Sequence, residues 1–419
     1  MSARTDLATY LLGERSELRP LIEAIAAAGD GGSRERAAVE YLLVLATARR
    51  AARREAVEVR ALEQVRSRYY RVFGKDDTPH ARLLRELYAS LEEDSAAALA
   101  TALKLLGLHH RKHGSYRLAR ASFALTVELT AELPDEIEQL NALFWLGLTE
   151  RYLGDLDAAE ALHREQLSRA RQAGAHGQAV LAQENLGLVS LRRGKVAEAR
   201  TEVLRALQEA ESLGDSELEG YCYHALLLVE TSAGRPGEAA VCGWEAYGRY
   251  ESNEQRMRAL QDCGVILFEA GLLEAADAAF EIVANGSDDT ASLLRAKTGL
   301  ADVAAARGDR DRFEAISHDL LADENLQALP FEFASALRTV GLGYVTLNEE
   351  QRAREYLLRS QTVAESRGLE DEAAKSRQAL ANLPAGTRAF RPLVPTGSEL
   401  ERLESVGRNV VWERAQVSA

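Results

Sequence analysis

One spacing recurs seven times along this chain of 419 residues: a first marker that is usually small, a second residue, usually glycine, seven positions on, and a third anchor twelve on. The first members are Gly107, Gly147, Gly187, Leu227, Gly264, Ala301 and Gly341, separated by 40, 40, 40, 37, 37 and 40 residues. Seven residues later stand Gly114, Gly154, Gly194, Gly234, Gly271, Gly308 and Asn348. Twelve later stand Ala119, Ala159, Ala199, Ala239, Ala276, Phe313 and Ala353. A fixed period of this size specifies a solenoid, in which each unit buries its apolar face against its neighbours. Function is then expected on the face the stack creates rather than in an enclosed catalytic pocket.

Each unit reads as an antiparallel helical hairpin. The first small residue lets a partner helix approach, and the second ends the helix because glycine adopts the left-handed conformation without strain. The third lies at the crossing point in the next helix. A larger apolar residue often follows four positions later, as Phe123, Val203, Phe280 and Leu357 do. Gly-Asp at 154–155 and 308–309 combines turn and N-cap chemistry.

Leu106-Gly107 with Ala119 and Phe123, Leu146-Gly147 with Ala159, and Leu186-Gly187 with Ala199 resemble the Leu-Gly…Ala…Phe signature of the tetratricopeptide repeat. The resemblance covers residues 97–383 and implies an all-α, right-handed superhelix, an α-solenoid of antiparallel helix pairs. The aromatic expected three residues after the glycine survives only as Tyr344, with His110, Glu150, Ser190, Glu230, Leu267 and Ala304 elsewhere. The sixth unit has Ala301 and Phe313 where Gly and Ala are usual, so a splayed or rotated pair is expected there. The common repeat is about 34 residues long. The extra length falls late in each unit, where Pro134, Gly174, Gly214 and Gly368 give a second turn signal. Long repeats of this kind resemble those of kinesin light chains, bacterial quorum-sensing peptide receptors and the sensor domains of large bacterial transcription activators. That likeness implies a groove that holds a peptide, a small ligand or a protein.

Composition supports an all-α chain with few breakers, since only 8 residues are proline. No apolar run is long enough to span a bilayer and residues 1–7 have no signal-peptide pattern, so a cytoplasmic protein with no membrane partner is expected. Cys222, Cys242 and Cys263 fall on helices without metal-like spacing and read as structural thiols. The net charge is −14, and residues 1–100 hold 16 groups of each sign, so the whole acidic excess lies in 101–419. An acidic solenoid disfavours a nucleic-acid partner along most of its length.

Residues 1–96 read as a helical N-terminal cap or degenerate repeats, with an amphipathic helix near 7–28 and a long helix from Ser33 to Phe73. Leu45, Ala48, Ala52, Ala56, Val59, Leu62, Val65, Tyr69 and Phe73 form a coiled-coil-like seam there, and the 34–73 helix offers a surface for homo-oligomerisation. Arg49, Arg50, Arg53, Arg54, Arg60, Arg66, Arg68 and Arg71 read as a solvated face balanced by Glu55, Glu58 and Glu63. Residues 384–397 read as a Pro/Gly linker, and 398–419 as an amphipathic helix with Leu400, Leu403, Val410, Val411 and Trp412 as its anchors. A lid over the end of the stack is the favoured role for that helix, with lodging in the groove as the alternative.

The resemblance places the groove on the first helix of each unit. Candidate partner-binding residues are Lys104, Arg111, Asn141, Phe144, Arg151, Glu184, Asn185, Tyr221, His224, Arg258, Gln261, Asp262, Arg295, Asp302 and Arg338. Asn185 resembles the asparagine with which such receptors hold a ligand's backbone amides, because a carboxamide both donates and accepts. The corresponding place holds Trp145, Ala225, Asp262, Gly299 and Thr339 elsewhere, so no long backbone-reading ladder is expected. A two-carboxylate clamp lacks its pattern at Leu108, Trp145 and Leu181. His109 and His113 are four apart, but no third ligand stands nearby, so no metal site is expected. No phosphate loop, dinucleotide motif or nucleophile elbow occurs, so neither a cofactor nor catalysis is expected. The chain therefore reads as a binding scaffold for a protein or peptide segment, or as a peptide-gated regulator or accessory subunit.

Overall fold

The residues expected to end the first helices do so in the left-handed region: Gly154 has φ 85°, Gly194 77°, Gly308 73° and Asn348 61°. These come from a computed structural model that describes residues 79–417, apart from 93–94, 113–115, 132, 328, 367–368, 384–391 and 393–394. The seam and arginine run of the 34–73 helix, His113, Gly114, Gly368 and most of the linker lie outside the described residues.

Helix α1 (Pro79–Glu92) precedes seven helical pairs. These are α2 (Ala96–Lys112) with α3 (Tyr116–Thr130), α4 (Glu136–Leu153) with α5 (Leu156–Gln172), and α6 (His176–Arg192) with α7 (Val196–Leu213). Then come α8 (Ser216–Ser232) with α9 (Pro236–Arg249), α10 (Asn253–Glu269) with α11 (Leu273–Gly286), and α12 (Thr290–Arg307) with α13 (Arg310–Ala322). The short α14 (Glu324–Gln327) precedes the last pair, α15 (Pro330–Thr346) with α16 (Glu350–Ser366). Helices α17 (Glu370–Asn382) and α18 (Ser398–Val417) follow. The fold is all-α and of the helical-repeat type. None of the described helices is long and apolar enough to cross a membrane. The chain divides into two compact units, residues 1–182 and 183–419.

The core follows from one knob-and-hole rule. A methyl group added to Gly107 would lie 2.6 Å from Phe123 Cε1, one on Gly187 2.6 Å from Val203 Cγ2, and one on Gly341 2.8 Å from Leu357 Cγ. The large side chain sixteen residues after each marker thus fills the space that glycine leaves on the first helix. Three pairs vary the rule, the sixth by holding Ala301 and Ser317 at the two positions. His163 takes the knob position against Gly147, its Nε2 2.7 Å from where a Cβ would sit. In the fourth pair the roles are exchanged, with Leu227 as the knob and Gly243, on α9, as the hole. The crossing residues Ala119, Ala159, Ala199, Ala239, Ala276, Phe313 and Ala353 are all fully buried.

At two of the positions where the aromatic of the repeat signature is missing, a buried glutamate with a cationic partner stands in its place. Glu230 is 2 % exposed and accepts from Arg200 Nε at 2.8 Å, with Arg235 as a second donor. Glu150 is paired with Arg120 at 3.7 Å. In the sixth pair Phe313 remains fully buried, edge-on to Tyr344 at 5.1 Å, and the short α14 follows the second helix. Cys222, Cys242 and Cys263 are buried free thiols.

Helix α18 corrects the expectation of an end cap. It packs on α9 and α11, the second helices of the fourth and fifth pairs, and so lies neither over the end of the repeats nor on the first-helix face of its unit. Leu403, Val406 and Val410 are buried, whereas Trp412, expected as an anchor, is 63 % exposed. Glu399 caps α9 by accepting from the Gly237 N–H at 2.7 Å. Tyr247 donates to Glu413 at 3.0 Å, and Arg414 to Glu281 at 3.1 Å. A side chain at Gly237 would collide with the Glu399 backbone, which is why α18 can approach so closely.

Candidate functional site

The first helices carry the candidate residues in both units, and many of these side chains are tied to the neighbouring repeat. In residues 1–182, Lys104 on α2 donates to both carboxylate oxygens of Glu138 on α4, at 3.0 and 2.9 Å. The Arg111 guanidinium stacks over Trp145 at 4.9 Å. Asn141 accepts from Gln178 at 2.9 Å, Gln178 accepts from Gln166 at 3.0 Å, and Gln166 meets His163 Nδ1 at 3.2 Å. Phe144 stands edge-on to Trp145, 4.9 Å away, and Arg151 lies over the ring of Tyr152. Burial pushes the His163 pKa down to about 4, against the hydrogen bond that Gln166 Oε1 accepts from the ring and that favours the cation. The ring is therefore a neutral packing group at ordinary pH.

In residues 183–419, Glu184 and Asn185 are both buried on α6, and Asn185 donates to Glu184 at 2.6 Å. Tyr221 on α8 meets Tyr250 edge-on at 5.2 Å. His224 bridges two repeats: Nε2 lies 2.9 Å from Asp262 on α10, and Nδ1 lies 3.3 Å from the Tyr250 hydroxyl. Arg258 lies near enough to Tyr221 to oppose the upward shift that burial imposes on that phenol.

Beyond this cluster the first helices α10, α12 and α15 enclose an open cavity of about 450 Å³. Five candidates meet there: Gln261, Asp262, Arg295, Asp302 and Arg338. The floor includes Phe280, Leu294 and Leu342, and the wall adds Glu269 and Glu332, two acids outside the set that the repeat offsets select. Both cations are paired. Arg295 lies 3.8 Å from Glu332, and Arg338 donates to the buried Glu372 on α17 at 3.1 Å and to Ser335 at 3.4 Å. Glu372 sits 34 residues after Arg338, close to one repeat period, which is the signal that links them in sequence. Gln261 is 7 % exposed, and its Oε1 has no hydrogen-bond partner among the described residues.

Asp302 is held differently. Burial pushes its pKa up to about 7, only partly opposed by Arg338. A carboxyl whose folded pKa is raised destabilises the fold when ionised. Its favourable contribution is complete below the unfolded value of 3.8 and is lost as pH rises through about 7. Asp302→Asn is therefore expected to melt close to the parent at pH 4 and progressively above it up to pH 7–8, by at most about 4 kcal/mol. Parallel thermal melts of both proteins at pH 4, 6 and 8 check this, and a gap that does not widen with pH contradicts it. Asp302 thus places on the cavity wall a carboxyl whose ionised form burial disfavours.

No protein-family model matches the sequence, and comparison with curated proteins gives no match. Among solved structures, the Rap conjugation gene regulator of plasmid pLS20, in complex with the Phr* peptide, is similar in fold at 15% identity and TM-score 0.51. The match covers 88% of this chain and 97% of that one. A signal transduction ATPase with numerous domains from Pyrococcus horikoshii, which carries a tetratricopeptide repeat sensor, is similar at 13% identity and TM-score 0.50. That match covers 99% of this chain and 73% of the other. The chain has the fold of tetratricopeptide-type helical-repeat proteins.

Proposed function

We propose that the chain is a cytoplasmic, non-catalytic binding protein that holds a peptide or an extended segment of a protein on the first-helix face of residues 183–419. The single observation that carries this reading is the cavity across α10, α12 and α15. Its volume suits two or three side chains of an extended segment, and it combines an apolar floor with a few converging polar groups. The ties on the rest of the face add to it. Pairs such as His224–Asp262 and Arg338–Glu372 hold successive helices in register, which preorganises the surface.

A regulatory outcome is favoured over a passive scaffold by the likeness to a regulator solved with its peptide. A ligand that bridges α10, α12 and α15 changes the relative stability of their packing, and so the affinity of this unit for a second partner. Hydrogen exchange of the full chain with and without a heptapeptide pool tests the location. Protection is expected on α10, α12 and α15, and a pool that leaves every helix unprotected overturns the proposal.

A further inference from the structure

The cavity discriminates by charge, and the balance of its lining says in which direction. Four carboxylates, Asp262, Glu269, Asp302 and Glu332, face two guanidiniums, Arg295 and Arg338. Glu332 neutralises Arg295, and Glu372 from outside the lining neutralises Arg338. Asp262 is engaged by His224. Asp302 and Glu269 are left with no ion-pair partner within bonding distance among the described residues. Beside them Gln261, more than nine-tenths buried, offers an acceptor oxygen with nothing to accept from. The charged groups of the lining that await a partner are therefore both carboxyls, with the Gln261 carbonyl oxygen as a further open acceptor. The floor beneath them is apolar, from Phe280, Leu294 and Leu342.

We infer that this cavity takes a cationic side chain, the ammonium of a lysine or the guanidinium of an arginine, from the bound segment. The inference rests on the proposal that the first-helix face holds a peptide, and it names the residue class that the peptide must present. The methylene stem of either side chain lies along the apolar floor while its head reaches the carboxylates, a division of labour that suits both residues. The head supplies two or more N–H donors to Asp302 and Gln261, and charge-assisted bonds of this kind are the strong ones. The pairing also relieves the site, since a cation beside Asp302 restores the ionised carboxylate that burial opposes. An anionic group is disfavoured because it would have to displace Glu332 or Glu372 from their arginines.

The test uses the full-length protein and four pools of fluorescein-labelled heptapeptides with blocked ends. Each pool carries Arg, Lys, Leu or Glu at its centre and random uncharged residues elsewhere, and binding is read by fluorescence anisotropy. The Arg and Lys pools are expected to bind about tenfold or more tightly than the Leu and Glu pools. Asp302→Asn, which removes the charge at nearly constant shape, should shrink that preference to about threefold or less. Glu401→Gln, on the exposed face of α18, should leave all four affinities where they were, which separates the cavity from general attraction to an acidic protein. Equal binding of the Arg, Lys and Leu pools overturns the cation assignment while keeping the peptide reading. A preference that survives Asp302→Asn removes it from this cavity. Tighter binding of the Glu pool reverses its sign. Binding by none of the pools overturns it together with the peptide reading.

Discussion

Deleting residues 384–419 should lower the melting temperature by about 5–10 °C and leave ligand affinity unchanged. Leu403, Val406 and Val410 are buried against the α9–α11 surface, and removing such side chains from water contributes about 1.5–3 kcal/mol each. Ordering twenty helical residues offsets much of that sum, which leaves a net of a few kcal/mol. The truncation also strips the Glu399 cap from the start of α9 and the Glu413 partner from Tyr247. Leu403→Asp combined with Val410→Asp undocks the helix without shortening the chain and should reproduce the loss. Differential scanning calorimetry of the three proteins checks the stability. Because α18 packs on second helices while the cavity lies among first helices, tighter peptide binding after truncation would contradict this placement.

Phe280→Ala is expected to be the most damaging single substitution in residues 183–419, at about 3–5 kcal/mol. The ring is held by glycines on two successive first helices. A methyl group on Gly264 would lie 2.8 Å from Phe280 Cε1, and one on Gly299 2.7 Å from Cζ. Helix backbones fix the walls on both sides, so the void left by alanine cannot collapse. Gly299→Ala alone should cost about 1–3 kcal/mol by overpacking. In a Phe280→Val background the same glycine change should cost less, because the space for the methyl group then exists. Chemical denaturation of the two single variants and the double variant measures that coupling. Additive losses would mean that Gly299 and Phe280 do not share the contact described.

The repeat is legible because its markers are small residues at a strict period, and glycine inside a helix weakens it unless a close crossing needs the space. Seven helical pairs appear where those markers stand. The exchanged knob and hole at Leu227 and Gly243 are readable too, since Gly243 follows Leu227 by the sixteen residues that separate Gly107 from Phe123. His163 escapes a search for apolar knobs because a polar ring gives no hydrophobic signal, although it occupies that same position. The face of candidates is readable from the resemblance, but its ties are not. Lys104–Glu138 and Asn141–Gln178 join residues 34 and 37 apart, so the side chain one period on is the natural partner to seek for each candidate. The docking site of α18 is illegible for a different reason. An amphipathic stripe states that a helix must be covered and says nothing of what covers it, so Trp412 reads as an anchor where Leu403 and Val410 do the packing. The cavity depends on how three helices approach one another, which no single helix records.

Hydrogen exchange on the full-length protein, with the arginine-centred heptapeptide pool present and absent, bears most directly on the claim that the first-helix face of residues 183–419 is the binding surface. The account predicts slower exchange in α10, α12 and α15, with α9, α11 and α18 unchanged, and loss of that protection in Asp302→Asn at the same peptide concentration. Protection confined to α9, α11 and α18, or none on any helix at a concentration that saturates the anisotropy signal, would contradict it.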